Sequence, residues 1–549
     1  MNREPELGKN FWLAMALSMI VLVGYPYFLR IISPQKSVPA AAIFSPAVTP
    51  AETSAPAIPA AEKTTLAPAE TPEQIAYTNG ALHLNFSSQG GTVTELRYED
   101  PVASKHRAQT EFFMQGAGLL SPGTLGVRLA QESADLTATR FTIKSQDASA
   151  GRFEFEYEKP GEFRLTKTYL FKPNDAGFNL VISLQNLSAN GKNFVPELLY
   201  GMGFRTDKKE DEPFYEAAYA HEKIDTAKAH KVEKNGFYSN KPLVWAGFIK
   251  KYYLFAVRPE WKILAAETRA QDGTMWSTLR MDPISIQPGE KISRQFFIYA
   301  GPERYETLKK TGAGFEAVFS RGFFGLFKVW LLLALKFLNG YVHNYGWAII
   351  LLTLGIKILF APIMEVSLKS QKRMQVIQPK LKALQEHHKG NPEKLHKETM
   401  ALFKRNRVNP MAGCLPMLIQ MPVLMAMYRL LFEAVELQGA PFFGWITDLS
   451  QPDRLWPLPF TIPMLNWSSL NVLPFLMVLS QMGFQKVMPQ TTTSPDQKMM
   501  VAIMPLFFGF ICYNMPSGLV LYWFVQNLLS IAQYAISNRA HIELHHEDR

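Results

Sequence analysis

Five long uncharged stretches and one region of two-residue alternation divide the chain. Residues 11–29, FWLAMALSMIVLVGYPYFL, run for nineteen positions without a charge, enough to cross a bilayer as a helix at about 1.5 Å per residue. Similar stretches occupy 345–356, continuing past Lys357 to Met364, then 408–428, 455–485 and 499–538. The last is forty residues long, twice a span, and Asn514-Met515-Pro516-Ser517-Gly518 at its middle reads as a tight turn, so it predicts two helices. Six membrane helices result. Between 74 and 315 the period falls to two, as in RFEFEYE (152–158) and FNLVISLQNLS (178–188), with the turn signals KPGE and KPNDAG between them; such closely spaced strands predict an antiparallel β-sandwich.

One segment fits neither pattern. GFFGLFKVWLLLALKFL, 322–338, is apolar apart from Lys328 and Lys336, which lie eight apart on one helical face. Length alone leaves open whether it spans or lies in the interface. Residues 33–73 are dominated by Pro, Ala, Ser and Thr; that composition buries too little apolar surface to offset its ordering entropy and predicts a tether. The run at 11–29 admits a cleaved signal peptide ending near Val38-Pro39-Ala40, but it exceeds a signal core of roughly 7–15 residues, and an uncleaved anchor is expected.

Charge fixes the topology. The stretch 367–410 holds eleven Lys or Arg against three acids, and the positive-inside rule places it in the cytoplasm. The sandwich, one span away, is then extracytoplasmic and both termini are cytoplasmic. This arrangement holds only if the segment around 322–338 does not cross, so it is expected along the outer interface. Within the basic stretch Met374, Ile377, Leu381 and Leu384 recur at heptad-like spacing, Gly390-Asn391-Pro392 turns the chain, and Leu395, Leu402 and Phe403 follow. A helical hairpin is predicted, with Lys380, Lys382, Arg405 and Arg407 among its cations.

The residue that most needs explaining is Lys357. It lies nine positions from Val366, about 13 Å into the membrane at helical rise, and an ammonium at a span's centre costs roughly 2.5–3.5 kcal/mol on insertion scales. Either its stem snorkels to the surface or its charge faces a wet interior. No carboxylate stands at its depth: Glu365 is at the cytoplasmic end of its helix, Glu433 and Glu436 are near the outer end of the next span, and the later spans have no acid. Polar residues are available to line such an interior. Tyr522, Gln526, Ser530 and Gln533 share a face of the last helix with Trp523 and Asn527 beside them; Thr353 is one turn from Lys357, Gln420 sits mid-run, and Gln481 and Gln485 share a face. Interhelical hydrogen bonding accounts for this spacing as well as a hydrated groove does.

Composition adds little to this pattern. Of the 549 residues 47% are hydrophobic, 12% aromatic and 19% charged, with a net charge of +10, but the cations flank apolar runs, so they report topology and not specific nucleic-acid binding. The two cysteines, Cys414 and Cys512, both lie in apolar runs. No P-loop, dinucleotide glycine pattern, GxSxG or HExxH occurs. His541, His545 and His546 read as a solvated tail, so neither a catalytic residue, a metal nor a cofactor is expected.

NPMAGCLPMLIQMPVLMAMY (409–428), QPKLKALQE (378–386) and MPSGLVLYWFVQNLLSIAQ (515–533) closely resemble the YidC/Oxa/Alb membrane protein insertases, strongly over 320–540. The first helix, tether and large sandwich resemble the Gram-negative form. The resemblance implies an inner-membrane insertase and chaperone, not an enzyme, whose five-helix core encloses a hydrophilic groove open to cytoplasm and lipid and closed outside. A basic groove residue attracts the polar segment of an incoming protein while its apolar segment slides into lipid. Lys357 matches that position, where Gram-negative members typically carry arginine, so planar bidentate donation is absent here. Thr353, Gln420, Tyr522 and Trp523 match groove positions, and Gln526 joins them by spacing. The implied partners are nascent membrane proteins, lipids, Sec translocon components, and a ribosome or targeting factor. The expected layout is an anchor (1–32), a tether (33–73), a periplasmic sandwich (74–315), an interfacial helix (316–340), a five-helix core (341–540) with its hairpin (367–410), and a cytoplasmic tail (541–549). A solute transporter with inverted repeats and a scaffold that merely anchors the sandwich are the rival classes.

Overall fold

The computed structural model describes residues 72–99, 109–114, 123–130, 135–203, 215–271, 273–322, 324–388, 391–406, 415–462, 467–487 and 495–547. The expected first helix, the tether, Arg407 and Cys414 lie outside these residues.

Alternation drives the first half of the described chain. An antiparallel sheet of nine strands runs in the spatial order 224–228, 215–220, 245–250, 253–259, 291–302, 177–186, 163–171, 152–159 and 142–147. Two smaller sheets face it. Phe86 of the four-stranded sheet stacks on Phe153 at 5.0 Å, and Tyr200 of the five-stranded sheet meets Phe255 at 5.7 Å. All three sheets feed one hydrophobic core. The strands Arg152–Lys159 and Gly177–Asn186 coincide with the alternating stretches in the sequence.

One inward position of the large sheet is charged. Phe163, Leu165, Tyr169 and Phe171 point into the core, and so does Lys167, fully buried between Leu165 and Tyr169. Its Nζ donates to the carbonyls of Gly90, Gly91 and Leu125 at 2.9, 2.6 and 2.7 Å, a match to the three donors of an ammonium. Gly91 has a φ of +51°, and a Cβ there would lie 2.9 Å from Phe155 Cβ. A side chain at this position would therefore disturb the turn that presents two of the three carbonyls.

Nine helices are described: α1 (Ala229–Asn235) and α2 (Tyr305–Lys310) beside the sheets, then α3 (Gly325–Val342), α4 (Tyr345–His387), α5 (Pro392–Arg405), α6 (Leu415–Glu433), α7 (Leu473–Val487), α8 (Pro495–Cys512) and α9 (Ser517–Glu547). Among the described residues three helical segments are long and apolar enough to cross a membrane: Gly325–Val342, Tyr345–Pro362 and Ser517–Ser537. α8 contributes a shorter apolar segment, Ala502–Cys512. α9 packs on α4, α6 and α7, and α3 packs on α4 and α6. Asn344 starts α4, its Oδ1 accepting the N–H of Gly346 and Trp347, a cap that satisfies two orphan donors. α4 then runs unbroken for 43 residues, so the first arm of the basic hairpin continues the apolar helix. Against it folds α5, with Ile377 and Phe403 buried between the arms and Met374 and Leu381 beside them.

Two expectations are corrected. The apolar run 455–485 is not one helix: Trp456–Ile462 and Trp467–Leu470 form an antiparallel hairpin, and the helix begins at Leu473. Pro457 and Pro459 account for this, since each removes a helical hydrogen bond and clashes with the preceding turn. Lys328 and Lys336 also do not form a polar outer face on α3. Lys328 is buried against acids, while Leu326, Trp330, Leu333, Phe337 and Tyr341 make the exposed face.

Candidate functional site

The sequence singled out polar residues on α4, α6, α7 and α9, and these helices pack together at the end nearest the sandwich. There Ile349, Leu352, Met427, Leu430, Leu473, Met477, Leu521, Tyr522 and Val525 form a continuous core. The burial stops at one level. On α4 it ends with Leu352 and Thr353, on α6 with Ala426, on α7 with Ser480 and on α9 with Asn527. Between that level and the hairpin, from 354 to 367 of α4, and along the rest of α7 and α9, no described residue is buried. Among the described residues the bundle is therefore tightly packed near the sandwich and less so toward its far end.

Lys357 sits just past this boundary. Its Nζ donates to Ser530 Oγ at 2.8 Å, and Ser530 in turn donates to the carbonyl of Gln526 at 2.7 Å. Lys357 thus has a neutral partner, and among the described residues no carboxylate pairs with it. Ile358 and Leu359, the next two residues, are 65% and 71% exposed, so α4 turns its ammonium inward while its neighbours face outward. At the other end of the bundle Glu433 accepts from Lys328 at 2.7 Å, while Lys336 stands 4.0 Å from Glu436, whose two carboxylate oxygens have no hydrogen-bond partner.

The remaining candidates divide into satisfied and unsatisfied groups. Thr353 Oγ1 is spent on the carbonyl of Ile349 at 2.6 Å, so its hydroxyl closes on its own helix. Asn527 donates to Ser480 Oγ at 3.0 Å and stitches α9 to α7, which is the interhelical role. Trp523 packs against Phe508, centroids 5.2 Å apart. By contrast, Tyr522 Oη, Gln526 Oε1 and Gln481 Oε1 are buried atoms with no hydrogen-bond partner. The Gln420 side chain stands beside the Tyr522 hydroxyl. Buried polar atoms are almost always paired; these three orphans lie near one boundary, and others lie elsewhere, Glu436 Oε1 and Oε2 among them. Lys380, Lys382 and Arg405 are exposed on the hairpin. Among the described residues no cluster of His, Cys, Asp and Glu is arranged to hold a metal ion.

Spacing singles out Lys357, Gln420, Tyr522 and Gln526 but not the level at which packing stops.

Comparison with known proteins gives the following. Residues 74–334 match the family described as YidC periplasmic domain, and 337–544 match the family described as 60Kd inner membrane protein. The membrane protein insertase YidC of Geobacter metallireducens is 31% identical, covering 97% of this chain and 99% of that one. Its counterpart in Syntrophus aciditrophicus is 32% identical, covering 97% and 100%. A crystal structure of an active YidC insertase with the first transmembrane domain resolved is 16% identical with a TM-score of 0.37, covering 84% of this chain and 92% of that one.

Proposed function

The chain belongs to the YidC family of membrane protein insertases, and from that premise we propose that it inserts and chaperones membrane proteins through a hydrated, positively charged groove between α4, α6 and α9. The polar segment of a substrate enters at the open end, is held by Lys357, Gln420, Tyr522 and Gln526, and is released outward as the apolar segment partitions into lipid. The observation that carries this is the shared level at which burial ends, with orphaned polar atoms at Tyr522, Gln526 and Gln481. A groove of this kind shortens the hydrocarbon that a polar segment must cross. The driving force is burial of the substrate's apolar span, about 25 cal/mol per Å², with no nucleotide consumed.

The same reading orients the inner-membrane protein. The open end and the basic hairpin are cytoplasmic, both termini are cytoplasmic, and six helices span, with α3 along the outer interface. On α3 the exposed face of Leu326, Trp330, Phe337 and Tyr341 suits lipid, while the lysines turn inward. Lys380, Lys382, Arg405 and Arg407 then meet lipid headgroups, a ribosome or a targeting factor, and the protein works alone or beside the Sec translocon.

Reconstitution tests this. The purified protein is placed in sealed liposomes, a single-span protein is offered, and protection of its outer segment from protease is scored. Protection above empty liposomes is expected. Protection equal to empty liposomes, both alone and with the Sec channel added, overturns the proposal and favours a scaffold.

A further inference from the structure

At the start of α7 an apolar hairpin stands uncovered. Its strands, Trp456–Ile462 and Trp467–Leu470, belong to the stretch LWPLPFTIPMLNWSSL (455–470), which carries no charge. Trp456 stands directly opposite Leu470 in the register, so the two share a face, and they are 68% and 40% exposed. Leu455, which donates its N–H to the Leu470 carbonyl at 2.9 Å, is exposed as well. The other face is covered: Ser469, one residue before Leu470, is buried. Exposed apolar surfaces of this kind mark interaction or membrane sites.

The hairpin is pinned at its base, so this face is presented by a fixed support. Trp467 stacks on Tyr513, ring centroids 3.8 Å apart. The Tyr513 hydroxyl donates to the Ser469 carbonyl at 2.8 Å and accepts the N–H of Asn471 at 3.2 Å, while the Asn471 amide donates to the Tyr513 carbonyl at 2.7 Å. Beside the other strand, Asp453 accepts the N–H groups of Val472 and Leu473. These contacts tie the hairpin to the start of α7 and to the turn between α8 and α9.

The neighbours of that face indicate what covers it. Phe475 of α7 and Phe510 of α8 both reach the Trp467–Tyr513 stack, Phe475 at 6.1 Å from Tyr513 and Phe510 at 6.3 Å from Trp467. Both are about half exposed, and Leu479 on α7 and Ile503 and Leu506 on α8 continue the exposed apolar rows. In an inner-membrane family such rows meet acyl chains, and the hairpin extends them. α7 is also short: positions 473–485, before Lys486, are uncharged and reach about 20 Å at helical rise, against roughly 30 Å of hydrocarbon. A span this short needs apolar structure at its end or a thinner bilayer. We propose that the hairpin is seated in the bilayer, with Leu455, Trp456 and Leu470 at the acyl–headgroup boundary, and that it lengthens the apolar band which α7 leaves short. Its partner is phospholipid. Tryptophan favours that boundary, and Pro457 and Pro459 bring no N–H to it, so fewer donors need partners away from water. Arg454, exposed at the base, would meet a lipid phosphate. Nothing in this depends on the groove or on insertion.

The test uses the full chain in liposomes of phosphatidylcholine and phosphatidylglycerol, with both native cysteines changed to serine. A single nitroxide label is carried at Trp456→Cys, at Leu470→Cys or, as a reference on the exposed surface of the sandwich, at Lys241→Cys. Its collisions with oxygen, which concentrates in lipid, are compared with those of a nickel chelate, which stays in water. At 456 and 470 oxygen is expected to relax the label more than the chelate does, and at 241 the order is expected to reverse. Chelate access at 456 and 470 equal to that at 241 overturns the inference, because the hairpin then stands in water. Exclusion of both reagents at 456 and 470 also overturns it, because a second copy or another protein segment then covers the face. Replacing an exposed tryptophan removes little packing; if Trp456→Cys nevertheless fails to fold, the label at 470 decides. Since no substrate is offered, the insertase reading stands or falls separately.

Discussion

Replacing Lys357 by methionine isolates the charge in the proposed groove. The substitution keeps the length and apolar stem of the side chain, and it leaves no new orphan, because Ser530 still donates to the Gln526 carbonyl at 2.7 Å. Folding should therefore be preserved or improved. On the proposed mechanism, what is lost is the attraction between the ammonium and an acidic group in the substrate. At a separation of about 5 Å that attraction is about 1 kcal/mol if the groove screens like water and about 3 kcal/mol at an effective dielectric of 20. Lys357→Met should then slow insertion of a substrate with an acidic outer segment by roughly 5- to 150-fold, while a substrate whose outer segment is polar but uncharged should slow much less. Lys357→Arg should stay near wild type, since Ser530 offers one acceptor and no bidentate fork is engaged. Initial rates in liposomes for the paired substrates measure this. An equal loss for both substrates, or no loss for either, would refute a role for charge at this position.

Two further predictions concern the frame around the groove. Asp453 accepts the N–H groups of Val472 and Leu473 and the indole Nε1 of Trp445 through one oxygen, so Asp453→Ala should destabilise the start of α7 by about 2–4 kcal/mol, read as a lower melting temperature; an unchanged melt would show that the cap is dispensable. In the sandwich, burial pushes Lys167 down from 10.5 to about 7. The unfolded chain then binds the proton more readily than the folded one between these values, and the wild type should gain stability relative to Lys167→Met as pH rises through that window, by about 1.4 kcal/mol per unit. Parallel stability curves for the two proteins across pH 7–10 would mean that the three carbonyls sustain the ammonium fully.

Much of this architecture is written locally. The alternation at 152–158 and 178–188, the turn at 514–518 and the cation-rich hairpin each depend on neighbours within a few residues, and the structure has strands, a helix break and a helical hairpin there. Lys357 was conspicuous because a charge interrupts an apolar run. What spacing misreads are features whose cause lies far along the chain. Lys328 and Lys336 resemble a solvated stripe until Glu433 and Glu306 are brought to them. Asn527 shares its helix with Tyr522 and Gln526, yet its amide is spent on Ser480 because α7 happens to face it. Lys167 sits at an inward position of its strand, and only the turn at Gly90–Gly91 and the Leu125 carbonyl make it tolerable. The prolines at 457 and 459 were local signals, but the uninterrupted apolar run around them read as a span.

The central claim is that the far half of the bundle is wet. It is tested most directly by placing a single cysteine at Gln526, with Cys414 and Cys512 changed to serine, and offering a membrane-impermeant maleimide to one side of the membrane at a time. The account predicts labelling from the cytoplasmic side only, and none when the cysteine is placed instead at Leu521, on the closed side of the boundary. A cysteine at 526 as unreactive as one at 521 would contradict it.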